Sequence, residues 1–400
     1  MHLDFNRSTE ITNIGLQPLS ETFKNLPLLS DISLHLSNLQ RCSASTFNDL
    51  FSGLETCKYL EKLDFFITPD PNCDLKSIEP LSLGLNLLNP LSLREITLKL
   101  YKDFNDYGMT ELSRALARFS SLKTLSIEFP HDPSISDRGL SQLSSALQTI
   151  ISLSTLSLVT LQSCQASQAQ SPPPQNLGFG FQGQPFSFSS FPQSDELSRP
   201  IDLISQGLAP LEELENLSLD LAGCFGEKFT TIQTFAQSLQ NLKSLKKLNL
   251  NLAVCRFMED EDITLLTQGL ETLKELTNLE LDVRHIQTLT NQAVITLMSS
   301  FSNLPKLNHL TLKLGTNKTD DNVLKIIAQS LKSLPVLDSL NLDFPCISES
   351  SYNEGLRVLC SSLESLVSLR EIALELKATN PALKIIKGLQ KLKPVTMTWR

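Results

Sequence analysis

The strongest constraint on this chain is a spacing. Leu245, Leu248, Leu250 and Leu252 stand at offsets 0, +3, +5 and +7 of a short segment. The same pattern restarts at Leu29, Leu60, Leu93, Leu122, Leu153, Leu214, Leu245, Leu276, Leu307, Leu337 and Leu369. Successive intervals are 31, 33, 29, 31, 61, 31, 31, 31, 30 and 32, so one interval alone breaks the rhythm. Alternation over the last three positions is the period of a strand with one buried face. A length of 400 residues would otherwise suggest two or three compact domains. A unit reused in this way predicts a single solenoid over residues 1–400 instead. It also accounts for a core rich in leucine beside only 1 Trp and 4 Tyr.

Each strand segment follows a helix-period segment. Ile263, Leu266, Leu270 and Leu273 precede Leu276, and Ile201, Ile204, Leu208 and Leu211 precede Leu214. Spacings of 3, 4 and 3 put each set on one helical stripe. Offset −7 is small in most units: Gly53, Ala115, Ala146, Gly207, Ser238, Gly269, Ser300, Ser330 and Ser362. Glycine in a helix costs about 1 kcal/mol against alanine, so a close approach of the helix backbone to the sheet is the expected compensation. Pro27, Pro305 and Pro335, all at offset −2, end the helices before the strands. The run Glu259–Asp262 falls at a helix start, where negative charge favours the dipole. Strands joined by helices must run parallel. The predicted fold class is α/β: a curved solenoid with a parallel sheet on its concave face and helices on its convex face. Leu3 and Phe5 at offsets +3 and +5 open the series, and Leu392, Val395, Met397 and Trp399 close it.

The L-x-x-L-x-L pattern joined to a helix resembles the leucine-rich repeat, of the long ribonuclease-inhibitor-like kind. The resemblance covers nearly the whole chain outside 162–199. One departure concerns offset +8, where that family usually carries an Asn or Cys that bonds the turn backbone. Here the position holds Ala222, Ala253, Arg284, Gly315, Pro345 and other residues, with no asparagine ladder. Offset +7 is apolar instead, as in Leu100, Leu252 and Leu314, which predicts strands one pair longer than usual.

Residues 162–199 turn to Ser, Gln, Pro, Gly and Phe, with a Pro172–Pro174 run. Two readings stand. One is a flexible low-complexity insertion; the other is a degenerate strand with Phe186 and Phe188 at offsets +3 and +5. The Phe cluster is also a candidate docking element.

The charge balance is 34 basic against 43 acidic residues, a net −9, which disfavours phosphate-backbone binding. No apolar run is long enough for a transmembrane helix, and the start does not read as a signal peptide. The cytoplasm, or the nucleus, is the expected location. The eight cysteines form no C-x-x-C pair, and no His lies near enough in sequence to suggest a zinc site. Cys42 and Cys73, like Cys224 and Cys255, stand 31 apart and are expected to stack as half-buried thiols. There is no P-loop, no G-x-G-x-x-G and no recognised triad, so no catalytic residue, cofactor or metal is expected.

What the surface offers lies between the strand leucines, at offsets +4 and +6. These side chains include seven acids against two bases, beyond the chain-wide ratio. The candidate partner-binding residues are Asp64, Phe66, Glu128, Asp220, Asn249, Asn251, Glu280, Asp282, Lys313, Asp343 and Glu375. Such a surface predicts a non-catalytic scaffold for a protein partner of basic character, acting as a monomer or as a subunit of a complex. The resemblance implies two alternatives. One is a substrate-recognition or regulatory subunit of a larger complex. The other is an activator of small GTPases acting through loops after the strands, where Arg256 and Arg284 stand.

Overall fold

A computed structural model describes residues 1–5, 13–39, 44–69, 79–100, 105–130, 137–161, 200–222, 232–255, 258–314, 321–344, 353–376 and 395–398. Strands and helices alternate along it. The strands are β1 (His2–Asp4), β2 (Asp31–Leu39), β3 (Lys62–Pro69), β4 (Glu95–Leu100), β5 (Thr124–Pro130), β6 (Thr155–Leu161) and β7 (Asn216–Asp220). They continue as β8 (Lys247–Asn251), β9 (Asn278–Val283), β10 (His309–Leu314), β11 (Ser339–Phe344), β12 (Glu371–Leu376) and β13 (Val395–Thr398). The helices are α1 (Asn13–Lys24), α2 (Ala44–Leu54), α3 (Glu79–Leu85), α4 (Asp106–Leu116), α5 (Asp137–Leu147) and α6 (Pro200–Leu208). After them come α7 (Ile232–Leu239), α8 (Asp260–Leu270), α9 (Asn291–Ser300), α10 (Asp321–Leu331) and α11 (Asn353–Ser365). The strands form one open 13-stranded sheet in sequence order, and their pairings are parallel, as between β3 and β4 or β9 and β10. This is the α/β solenoid that the spacing predicts. Among the described residues no helix is long and apolar enough to cross a membrane.

The repeats join through a shared carbonyl. From the unit at Leu60 to the unit at Leu369, the N–H groups at offsets +1 and +2 both donate to the offset +1 carbonyl of the unit before. Lys246 and Lys247 donate to Glu215 O at 2.7 and 2.9 Å, and Thr277 and Asn278 to Lys246 O at 2.8 and 3.0 Å. The ladder is unbroken across the long interval: Glu215 and Asn216 donate to Ser154 O at 2.8 and 2.9 Å. β6 therefore pairs directly with β7, Thr155 opposite Asn216, and leaves no ladder position between them. Residues 162–199, with Phe186 and Phe188, lie outside the described residues.

The two ends of the sheet differ in register. Val395 pairs with Ile372 and Met397 with Leu374, as the offsets predict. Leu3, however, pairs with Leu34, which puts Leu3 at offset +5 and Phe5 at +7, two positions on from the expectation. A two-residue slip keeps every side chain on its face, so two apolar residues alone cannot fix it.

The burial follows the pattern. β4 alternates half-buried and buried residues along its length, its apolar members facing the helices. Ile263, Leu266, Leu270 and Leu273 are all buried, as are Ile201, Ile204, Leu208 and Leu211. Each such side chain contributes roughly 1.5–3 kcal/mol. Cys57, Cys255 and Cys360 are buried. Cys42, Cys73 and Cys224 lie outside the described residues, so the stacking of the two pairs does too. Burial raises the Cys57 thiol and, with Glu364 nearby, pushes that of Cys360 up to about 11, so both stay protonated and unreactive.

Where offset −7 is glycine, the small residue serves helix–helix contact rather than contact with the sheet. A Cβ added at Gly53 would lie 2.5 Å from the carbonyl oxygen of Ser20 on α1. At Gly269 it would meet Ala236 O on α7 at 2.7 Å. α2 and α8 thus lean their glycine faces on the backbone of the preceding helix. Gly84 on α3 works differently, leaving room for the ring of Phe51 on α2. The first helical turns are tied together too: the Asp106 carboxylate accepts the Gly139 N–H at 3.1 Å, and Asp321 accepts that of Gly355 at 3.2 Å. At α8 the acidic run caps its own helix, with Asp262 accepting the Glu259 N–H at 2.8 Å.

Two glycine substitutions separate these effects. Gly269→Ala gains about 1 kcal/mol of helix propensity but overpacks against α7, so a net loss of about 1 kcal/mol is expected. Gly15→Ala, with nothing within 4 Å of its added Cβ, is expected to gain up to about 1 kcal/mol. Urea unfolding midpoints of the two variants check the opposite signs.

Candidate functional site

Register turns offsets +4 and +6 into two rows across the sheet. One runs Ser157, Ser218, Asn249, Glu280, Thr311 and Asn341; the other runs Val159, Asp220, Asn251, Asp282, Lys313 and Asp343. Both face away from the helices. A depression of about 410 Å³ crosses β6 to β11, lined by Ser157, Ser218, Lys247, Asn249, Glu280 and Thr311 among others. A smaller one of about 160 Å³ adjoins it, lined by Asp220, Asn249, Asn251, Glu280, Asp282 and Lys313. A hollow spanning six strands requires the sheet to curve toward this face.

The offset +6 side chains also build the turns that follow. Asp220 accepts the Ala222 N–H at 3.1 Å, Asn251 that of Ala253 at 3.0 Å, and Asp282 that of Arg284 at 3.1 Å. These are Asx turns, and three successive repeats share them. They bond the turn backbone in place of the missing ladder at +8. The next position is left-handed in two of these turns, with φ 65° at Val254 and 62° at His285. Asp343 stands two residues before Pro345, which has no N–H to offer.

That carboxylate meets Arg284 instead. Arg284 lies against Asp282, with Nε 3.0 Å from Oδ1 and Nη2 2.7 Å from Oδ2. Its Nη1 reaches Asp343 Oδ2 at 3.2 Å, spanning from the end of β9 to β11. Between them, Lys313 on β10 donates to Glu280 at 2.9 Å and stands 3.9 Å from Asp282. Asp282 is only 6% exposed. Hydrogen bonding to Asp282 raises the Arg284 pKa, so it stays charged. A guanidinium held by two carboxylates is not poised to reach outward.

The candidate residues divide accordingly. Asp220, Asn249, Asn251, Glu280, Asp282 and Lys313 come together at the hollow, and Asp343 joins through Arg284. Glu128 stands apart on β5, 3.1 Å from Lys99. Asp64 and Phe66 stand further off on β3, and the Glu375 side chain lies outside the described residues. A count of acids and bases at +4 and +6 misses Arg284, because it enters the face from +8. Much of the acidity is therefore matched within the fold.

A second cluster occupies the N-terminal end of the same face. The shifted register of β1 sets His2 beside Ser33 and Asp4 beside His35. The two imidazole rings lie 5.1 Å apart, edge to face. His35 Nε2 is 3.2 Å from Asp64 Oδ2, and Phe66 packs 5.5 Å from the His35 ring. The sequence search for metal ligands missed this group because it compared near neighbours, and His2 and His35 are a full repeat apart.

These features define the class: an α/β repeat solenoid with a polar, curved sheet face. No protein-family model matches the chain, and no curated protein matches it.

Asp282 separates turn chemistry from charge. Asp282→Asn keeps an acceptor for the Arg284 N–H and is expected to cost about 1 kcal/mol. Asp282→Ala removes both roles and should cost about 2–3 kcal/mol. Chemical denaturation of both variants measures the gap; equal losses would mean that the turn bond contributes nothing.

Proposed function

We propose that this protein is a leucine-rich repeat protein of the ribonuclease-inhibitor-like kind. In this reading it is a non-catalytic scaffold that binds a protein partner across its concave sheet. The carrying observation is the hollow over β6 to β11. Its floor is a rigid ladder, and its lining is short polar side chains with donors and acceptors free of the core: Ser157, Ser218, Asn249 and Thr311. Such a surface suits an extended or protruding protein segment. The pairing of Arg284 and Lys313 with Asp282, Asp343 and Glu280 leaves a modest excess of carboxylate, which favours a partner of basic character. The cytoplasm or the nucleus is the compartment this reading expects.

The test must spare residues that build the fold, which excludes Asp282 and Asp343. The triple variant Ser218→Arg, Asn249→Arg, Thr311→Arg fills the hollow and leaves the core untouched. Affinity capture from native extract, read by mass spectrometry, is expected to show a partner held by the wild type and lost at least about tenfold in the variant. An unchanged set of partners would place the contact surface elsewhere.

A further inference from the structure

We propose that His2, Asp4 and His35 form a binding site for a divalent transition-metal ion of the zinc class, with Asp64 supporting it. The ligand atoms of His2, Asp4 and His35 all lie within 4.8 Å of one another. In a tetrahedral zinc site, bonds of about 2.0–2.1 Å put neighbouring ligand atoms about 3.3 Å apart. The gap to be closed is therefore roughly 1.5 Å. His2 and Asp4 are exposed, and their strand is a three-residue edge, so rotation of their side chains supplies that movement. His35 is the fixed member, half-buried on β2.

The surroundings point the same way. Asp64 Oδ2 sits 3.2 Å from His35 Nε2 and accepts the Ser33 hydroxyl at 2.8 Å. Ser33 Oγ in turn lies 2.9 Å from His2 Nδ1. A carboxylate against an imidazole is the outer-shell arrangement that orients metal-bound histidines. The Phe66 ring packs against that of His35, with centroids 5.5 Å apart. The donor set decides the class of ion. Two imidazoles and a carboxylate suit zinc and its first-row neighbours, whereas calcium and magnesium favour all-oxygen sites.

The ion would link β1 to β2. β1 ends the sheet and is held by few bonds, among them Phe5 N–H to His35 O at 2.9 Å and Ser33 N–H to Met1 O at 2.8 Å. A metal bridge from His2 and Asp4 to His35 closes that edge, which is otherwise open to pairing with another strand.

Zinc chloride titrated into the untagged full chain, by calorimetry and by equilibrium dialysis with zinc quantified, tests the site. One equivalent per chain is expected. His2→Ala and His35→Ala should each weaken binding at least tenfold, and Asp64→Asn about 10–100-fold. His285→Ala, at an exposed turn elsewhere, should bind as wild type. His2 is exposed on the edge strand, so its variant folds even if the His35 variant does not. Zinc should also slow amide exchange at Phe5 in the wild type and not in His2→Ala. Absence of stoichiometric zinc, or the same affinity in His2→Ala as in wild type, would overturn the proposal.

Discussion

The structure depends on one backbone carbonyl per repeat. The offset +1 carbonyl takes two N–H bonds from the unit that follows, and this fixes where the next strand begins. Once that point is set, the period of the strand places the leucines inward and the +4 and +6 side chains outward. The helix then has one stripe to bury and a helix on each side to lean on. In the described units each helix packs on neighbouring helices and each strand on neighbouring strands, so the ladder transmits order from one repeat to the next.

Two consequences bear on function. Residues at +6 serve two ends, because the same side-chain oxygen that lies on the sheet face also closes the turn after the strand. Asp220, Asn251 and Asp282 are constrained by the turn before any partner is considered. The +4 row carries no such duty in these repeats. Ser218, Asn249 and Thr311 are thus the positions where the surface can vary without cost to the fold. The second consequence concerns the edge. A strand as short as β1 has little ladder to hold it, so its side chains must supply what its backbone cannot.

The architecture was legible because the repeat is written in apolar residues, whose burial the spacing dictates. The leucine offsets located the strands, and the stripe before Leu276 located a helix. What was not legible depends on side chains that cross between repeats. Arg284 sits at a turn in sequence, yet its length carries it to Asp343 two strands away. His2 and His35 are neighbours only after the first strand is shifted by two residues, a choice that Leu3 and Phe5 leave open. The small residues at offset −7 were visible, but the partner they approach was not: a glycine shows that something comes close, without showing whether it is the sheet or the next helix.

The account rests on a ladder that is continuous across the 61-residue interval. Amide hydrogen exchange on the full chain and on a variant lacking residues 165–195 tests this most directly. The amides of Glu215 and Asn216, bonded to Ser154 O, should be protected in both proteins to the same degree as those of Lys246 and Lys247. If Glu215 and Asn216 exchange freely in the full chain while Lys246 and Lys247 stay protected, β6 and β7 are not paired, and the single-solenoid account fails.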